Sequence, residues 1–201
     1  PAALAESEAA LRVFDAGGIG ADHQARRRIE RSQARTLALA GEFARAAAML
    51  ADLRARCARI EGEDSGEYAM LTWQLVILAR QMHDPVSGLP LLAESERRWR
   101  ALLPAEHPIF LHVRRARAAF AIDGGDIATA ARELEAAVAG FEASGALPID
   151  LAIARSELAQ VRLRQNRRGD ARALLKQTMP VLRASLLPGE VSRAAAENLA
   201  A

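Results

Sequence analysis

The sequence predicts an all-α solenoid of stacked antiparallel helix pairs, and three observations predict it. A turn-like mark returns four times: Gly41-Glu42-Phe43, His83-Asp84-Pro85, Gly125-Asp126-Ile127 and Asn166-Arg167-Arg168 lie 42, 42 and 41 residues apart. Five residues into each repeat comes a small residue (Ala46, Gly88, Ala130, Ala171), and four further on a leucine (Leu50, Leu92, Leu134, Leu175). Apolar residues also recur at three- and four-residue spacing, as at Leu71, Leu75, Leu78 and Met82, the stripe of an amphipathic helix. A period of this size belongs to a repeat array, in which each unit buries its apolar face only against its neighbours.

Each unit reads as two helices. The first helices are predicted over Asp22–Ala40, Ser65–Met82, Glu106–Ile122 and Pro148–Gln165, and the second over Glu42–Ile60, Pro85–Leu103, Asp126–Ser144 and Arg168–Leu187. Gly41, Gly125 and Asn166 suit the left-handed conformation that ends a helix. Asp84 and Asp126 stand where an N-cap accepts orphan amide protons, and Pro85 fits the first helical position. The linkers Ala21-Asp22-His23, Glu63-Asp64-Ser65 and Ala105-Glu106-His107-Pro108 align, each placing an acid ahead of a helix where the dipole favours it. Leu147-Pro148-Ile149-Asp150 departs from that pattern. Pro90 and Pro180 fall inside second helices, where each removes a backbone hydrogen bond, and local kinks are expected there.

The chain is expected to be one helical-repeat domain over 1–201. Residues 1–20 form a half-repeat, 21–62, 63–104, 105–146 and 147–187 the four repeats, and 188–201 a half-repeat or cap. Ala2 to Phe14 reads as a lone second helix ahead of Gly17-Gly18-Ile19-Gly20, and Glu190 to Ala201 as a lone first helix. These half-units either expose apolar surface (Leu4, Leu11, Phe14) or fold back as caps. With no initiator Met and Pro1 already inside a helical stretch, the chain reads as a piece of a longer protein.

Composition narrows the function. At 201 residues and 51% apolar content the chain supports a sizeable core. Only two Trp, one Tyr and five Phe are present, so packing rests on Ala and Leu. Its 27 basic and 25 acidic residues nearly balance, which argues against a polyelectrolyte binder. The basic residues are Arg except for Lys176, and this Arg and Ala usage points to a GC-rich bacterial genome. A single cysteine, Cys57, favours a reducing, cytoplasmic compartment. Cys57 shares a row with Trp99, Phe141 and Leu182, and is therefore read as a small buried hydrophobe. The apolar stretch from Tyr68 to Ala79 is too short to span a bilayer.

Together these marks resemble the tetratricopeptide repeat family, whose small–glycine–apolar–alanine pattern is matched by Gly41/Phe43/Ala46 and Gly125/Ile127/Ala130. The common repeat has about 34 residues. A 42-residue unit with an acid-His-Pro linker such as Glu106-His107-Pro108 is similar to the kinesin light chain subtype. The resemblance is strongest from Asp22 to Gln165. His83-Asp84-Pro85 lacks the glycine, and Arg114 and Arg117 occupy first-helix positions that are usually apolar. The resemblance implies a right-handed superhelix whose concave face is lined by first helices and binds peptides or helices of other proteins. In bacteria such arrays are often parts of multidomain signalling proteins.

Carried over residue by residue, the concave positions are Arg28, Arg31 and Arg35, then Met70, Trp73, Ile77 and Arg80, then His112, Arg115 and Ile122, and lastly Ile153, Ser156, Gln160 and Leu163. Trp73 suits an anchor and the arginines suit carboxylates. In particular, Trp73, Arg80, Arg115 and Ile122 are expected to form two rungs of one ladder gripping an acidic, partly apolar peptide. The competing reading has Trp73 and Ile77 pack against the adjacent helix and the arginines form a solvated face.

Other features carry less. Arg26-Arg27-Arg28 with Arg31 and Arg35 lacks the interleaved aromatics of a nucleic-acid face. His23, His83, His107 and His112 have no metal-ligand spacing. Gly17-Gly18-Ile19-Gly20 follows no strand and is no phosphate loop. Arg168-Gly169-Asp170 occupies a repeat turn, and Glu61, Glu63, Asp64 and Glu67 read as a solvated acidic linker. No nucleophile–base constellation assembles, so neither catalysis nor a cofactor is expected. The expected function is a non-enzymatic protein-interaction module, whose open ends offer a route to self-association. The rival is a ligand-sensing regulatory domain that changes superhelical pitch.

Overall fold

Residues 2–186 and 191–200 are described by the computed structural model, and they form ten α-helices with no strand among them. In order these are α1 (Ala2–Ala16), α2 (Gln24–Leu39), α3 (Phe43–Ile60), α4 (Gly66–Gln81), α5 (Pro85–Leu102), α6 (Ile109–Asp123), α7 (Ile127–Ser144), α8 (Pro148–Arg164), α9 (Arg168–Ser185) and α10 (Val191–Ala200). Leu187, Glu190 and Ala201, which bounded the expected last elements, lie outside the described residues. The helices sort into two compact units, Pro1–Leu103 and Pro104–Ala201.

The turn marks do what their residues dictate. Gly41 and Gly125 adopt φ of 81° and 79°, and Asn166 adopts 60°. His83, where glycine was missing, takes the left-handed conformation as well, at φ 52°. The cost of a side chain there is tolerated for a single residue. Asp84 accepts from the Ser87 N–H at 3.1 Å and Asp126 from the Thr129 N–H at 2.9 Å. These hydrogen bonds hold both carboxyls below their ordinary range. At three first helices the residue after the linker acid hydrogen-bonds the first-turn amides. His23 Nδ1 accepts from the Ala25 N–H, Ser65 Oγ from the Tyr68 N–H, and His107 Nδ1 from the Ile109 N–H, at 3.3, 3.3 and 3.2 Å. Two of the four histidines are thereby accounted for as capping groups.

α5 and α9 run unbroken through Pro90 and Pro180. Both rings are exposed, and the carbonyls four residues back, which each proline leaves without its helical donor, belong to the exposed residues Val86 and Lys176.

In unit 1 each helix packs on its predecessor, and a core of Ala34, Leu37, Ala46, Leu50, Leu53 and Cys57 is joined by Leu4 of α1. In unit 2 two clusters, one around Leu134 and Phe141 and one around Leu175 and Leu182, fill the space between α6 and α10. Leu50, Leu92, Leu134 and Leu175 are exposed by 4, 2, 0 and 4%, so the four repeats bury the same position. Cys57, fully buried, keeps its row with Trp99, Phe141 and Leu182, and burial pushes its thiol up. At the ends, α1 packs on α2, and α10 packs on α8 and α9 with Ala196 fully buried.

Candidate functional site

In unit 1 the expected groove residues lie on α2 and α4. Arg28, Arg31 and Arg35 follow one face of α2, and Met70, Trp73 and Ile77 one face of α4, both at spacings of three and four. Arg28 and Arg35 are exposed and have no hydrogen-bond or ion-pair partner among the described residues. Arg31 Nη1 donates to both carboxylate oxygens of Glu67 at 2.8 Å, which ties the two helices together. Met70 is 36% exposed, while Trp73, Ile77 and Arg80 are half-buried. This face thus offers two unengaged guanidiniums beside a partly open apolar strip.

Unit 2 treats the same positions differently. His112 stacks edge-on against the buried Phe141 ring at 5.2 Å, so it belongs to the helix stack. Arg115 is 8% exposed, and its Nε and Nη2 each donate to Glu157 at 2.8 Å, leaving Nη1 beside His112 Nδ1. Burial opposes its charge, but the Glu157 carboxylate more than offsets that and raises its pKa. The fork expected to hold a partner's carboxylate is therefore filled by Glu157. Ile122 packs against the core around Leu134, and Ile153 and Leu163 against the core around Leu175. Ser156 is 5% exposed and donates to the Ile153 carbonyl at 2.9 Å, and Gln160 is half-buried. The expected rungs through Arg115 and Ile122 end in ion pairing and core packing because unit 2 supplies partners for both.

No protein-family model matches this chain, and no curated protein matches it either. Solved structures do. A candidate kinesin light chain of Podosopora anserina, built of nearly identical TPR-like repeats, is 20% identical with a TM-score of 0.65, over 89% of this chain and 85% of that one. A variant of that protein is 20% identical with a TM-score of 0.63, over 86% and 82%. BtubC (BKLC) from P. vanneervenii is 17% identical with a TM-score of 0.65, over 82% and 67%. The fold is the TPR-like repeat.

Several side chains in this TPR-like chain escaped the sequence reading. Tyr68 of α4 has two guanidiniums over its ring, with Arg54 at 4.7 Å and Arg98 at 5.4 Å from the ring centre, and its hydroxyl donates to Glu94 at 3.0 Å. Burial, and then the Glu94 hydrogen bond, raise the phenol's pKa. The acidic linker is exposed at Glu61, Glu63 and Asp64, as expected, and is also ion-paired: Glu61 pairs with Arg27, Glu63 and Asp64 with Arg98, and Glu67 with Arg31. Arg27 Nε and Nη1, Gln33 Oε1, Ser95 Oγ and Trp99 Nε1 are buried and lack a hydrogen-bond partner among the described residues, and all belong to unit 1. Gln24, Arg27, Arg28, Arg31, Glu61 and Glu67 line a polar cleft of about 260 Å³. Among the described residues no helix is long and apolar enough to cross a membrane.

Proposed function

We propose that this chain is a non-enzymatic protein-interaction module whose recognition surface is the first-helix face of unit 1. It is a regulatory or scaffolding part of a larger bacterial signalling protein. The observation that carries this reading is the contrast between the groove positions of the two units, of which Arg28, Met70 and His112 share one row. Arg28, Arg35 and Met70 are exposed on unit 1, whereas His112, Arg115 and Ile122 are engaged inside unit 2. A peptide or helix lying along α2 and α4 buries an apolar side chain against Met70, Trp73 and Ile77, and sets carboxylates near Arg28 and Arg35. Such side chains are the ones that anchor interfaces. A small-molecule sensor is favoured less, because ligand sites are mostly apolar and larger than the polar cleft at α2.

The test uses peptides selected by display on the intact chain and then measured by calorimetry. Trp73→Ala is expected to weaken them by about 30-fold, or about 2 kcal/mol, with helical content retained. Selected peptides that bind Trp73→Ala as tightly as the parent overturn the reading.

A further inference from the structure

At the head of α2, one position breaks the repeat. Arg27 occupies a row whose other members are Ala69, Leu111 and Ala152, at the same 42, 42 and 41 spacing. Ala69 and Ala152 are 0% and 3% exposed, and Leu111 packs against a core. Three units therefore place an apolar side chain where the first places a guanidinium, itself only 7% exposed. A charge in a core row is costly and persists where something compensates it. Glu61 compensates part of it by accepting from Nη2. Nε and Nη1 remain shut off from solvent and without an acceptor among the described residues.

This side chain forms a wall of the polar cleft described above. The cleft's two carboxylates are both engaged, Glu61 by Arg27 and Glu67 by Arg31, while Arg28 has no partner among the described residues. Three guanidiniums thus face two carboxylates, and Gln24 adds the first residue of α2 and its favourable dipole end. From this geometry we infer that the cleft is an oxyanion site, with Arg27 as its buried base and Arg28 at its mouth. Its ligand is a carboxylate or phosphate group, carried by an acidic peptide or free in solution. The exposed Arg28 and Gln24 swing aside as the anion enters, and the unfilled edge of Arg27 gains the acceptor it lacks. The inference rests on the reading that this face of unit 1 recognises a partner, and it adds which chemical group is held there.

The experiment is an NMR titration of the intact chain at constant ionic strength. The probes are an end-blocked triglutamate peptide, inorganic phosphate and chloride. Saturable shifts confined to the amides of Gln24 to Arg31 and to arginine Nε–H groups are expected with triglutamate or phosphate but not with chloride. A response to triglutamate alone assigns the source to a peptide carboxylate, and a response to both admits any small oxyanion. Arg27 itself is a poor probe because removing it disturbs packing, so the variants are Arg28→Gln and Glu67→Gln. Arg28→Gln should weaken binding by about fivefold or more, and Glu67→Gln should strengthen it by about threefold by freeing Arg31. Shifts that follow ionic strength alone, or an affinity unchanged in Arg28→Gln, overturn the site. Trp73→Ala, outside the cleft, separates the two readings. A blank titration with peptide affinity still dependent on Trp73 removes the cleft and leaves the groove. A saturable titration with Trp73 indifferent does the reverse.

Discussion

Units 1 and 2 follow one repeat template, yet they differ in how completely their buried polar groups are paired. In unit 2 the buried polar side chains find partners at home: Arg115 with Glu157, Glu133 with Arg114, Ser156 with the Ile153 carbonyl and Thr178 with the Leu175 carbonyl. In unit 1, atoms of Arg27, Gln33, Ser95 and Trp99 are buried without a partner among the described residues. One row shows the contrast directly, since Trp99 brings an N–H into a position where unit 2 places the purely apolar Phe141. A buried polar atom left unpaired costs about 1–3 kcal/mol. Unpaired groups of this kind are the local departures expected at functional or strained sites. The apolar cores, by contrast, are alike.

Three measurements break or sharpen this comparison. The largest effect should be the one the units share. Leu134→Ala and Leu50→Ala each remove a buried leucine, exposed by 0% and 4%, and should each cost about 3 kcal/mol in denaturant unfolding. A difference between them of more than about 2 kcal/mol would mean that the cores are not equivalent. Next come two ion pairs whose arginines share one row. Arg115 and Glu157 side chains are 9% and 22% exposed, against 28% and 29% for Arg31 and Glu67. Glu157→Ala strands a buried guanidinium and should cost about 2 kcal/mol or more, whereas Glu67→Ala should cost less than about 1 kcal/mol. Equal costs would show that burial does not separate the two pairs.

The smallest effect is a control expected to be the same in both units. Asp84 and Asp126 have carboxyls held below the ordinary 3.8 by their hydrogen bonds to Ser87 and Thr129. A carboxyl lowered in the folded state stabilises fully above the ordinary value, and that stability is lost as pH falls through it toward the folded pKa. Asp84→Ala and Asp126→Ala should flatten the acid limb of the stability curve below about pH 4 to a similar small extent. A flattening in only one variant would show that the two caps are not equivalent.

Much of the fold was legible because its signals are local. Helix boundaries agree with the sequence reading to within a few residues, and Gly41, Gly125 and Asn166 turn as their backbones favour. Capping was half legible. Asp84 and Asp126 cap as expected, whereas the hydrogen bonds of His23, Ser65 and His107 to helix amides at three linkers were not foreseen, since only the fold shows which side chain reaches back. The candidate site was far less legible. Arg31 and Arg115 stand in the same row, and nothing near either in sequence tells them apart.

By itself the sequence determined the period, the helix pairs, the left-handed turns and the rows of small residues and leucines, since these follow from backbone preference and from apolar spacing along a single helix. Only the tertiary structure decided which arginines are engaged. Arg31 meets its carboxylate 36 residues away and Arg115 meets its own 42 residues away, and burial separates the two pairs further. Whether a guanidinium serves recognition or stability depends on the acceptors and the solvent that packing brings to it, and neither is written in its own stretch of chain.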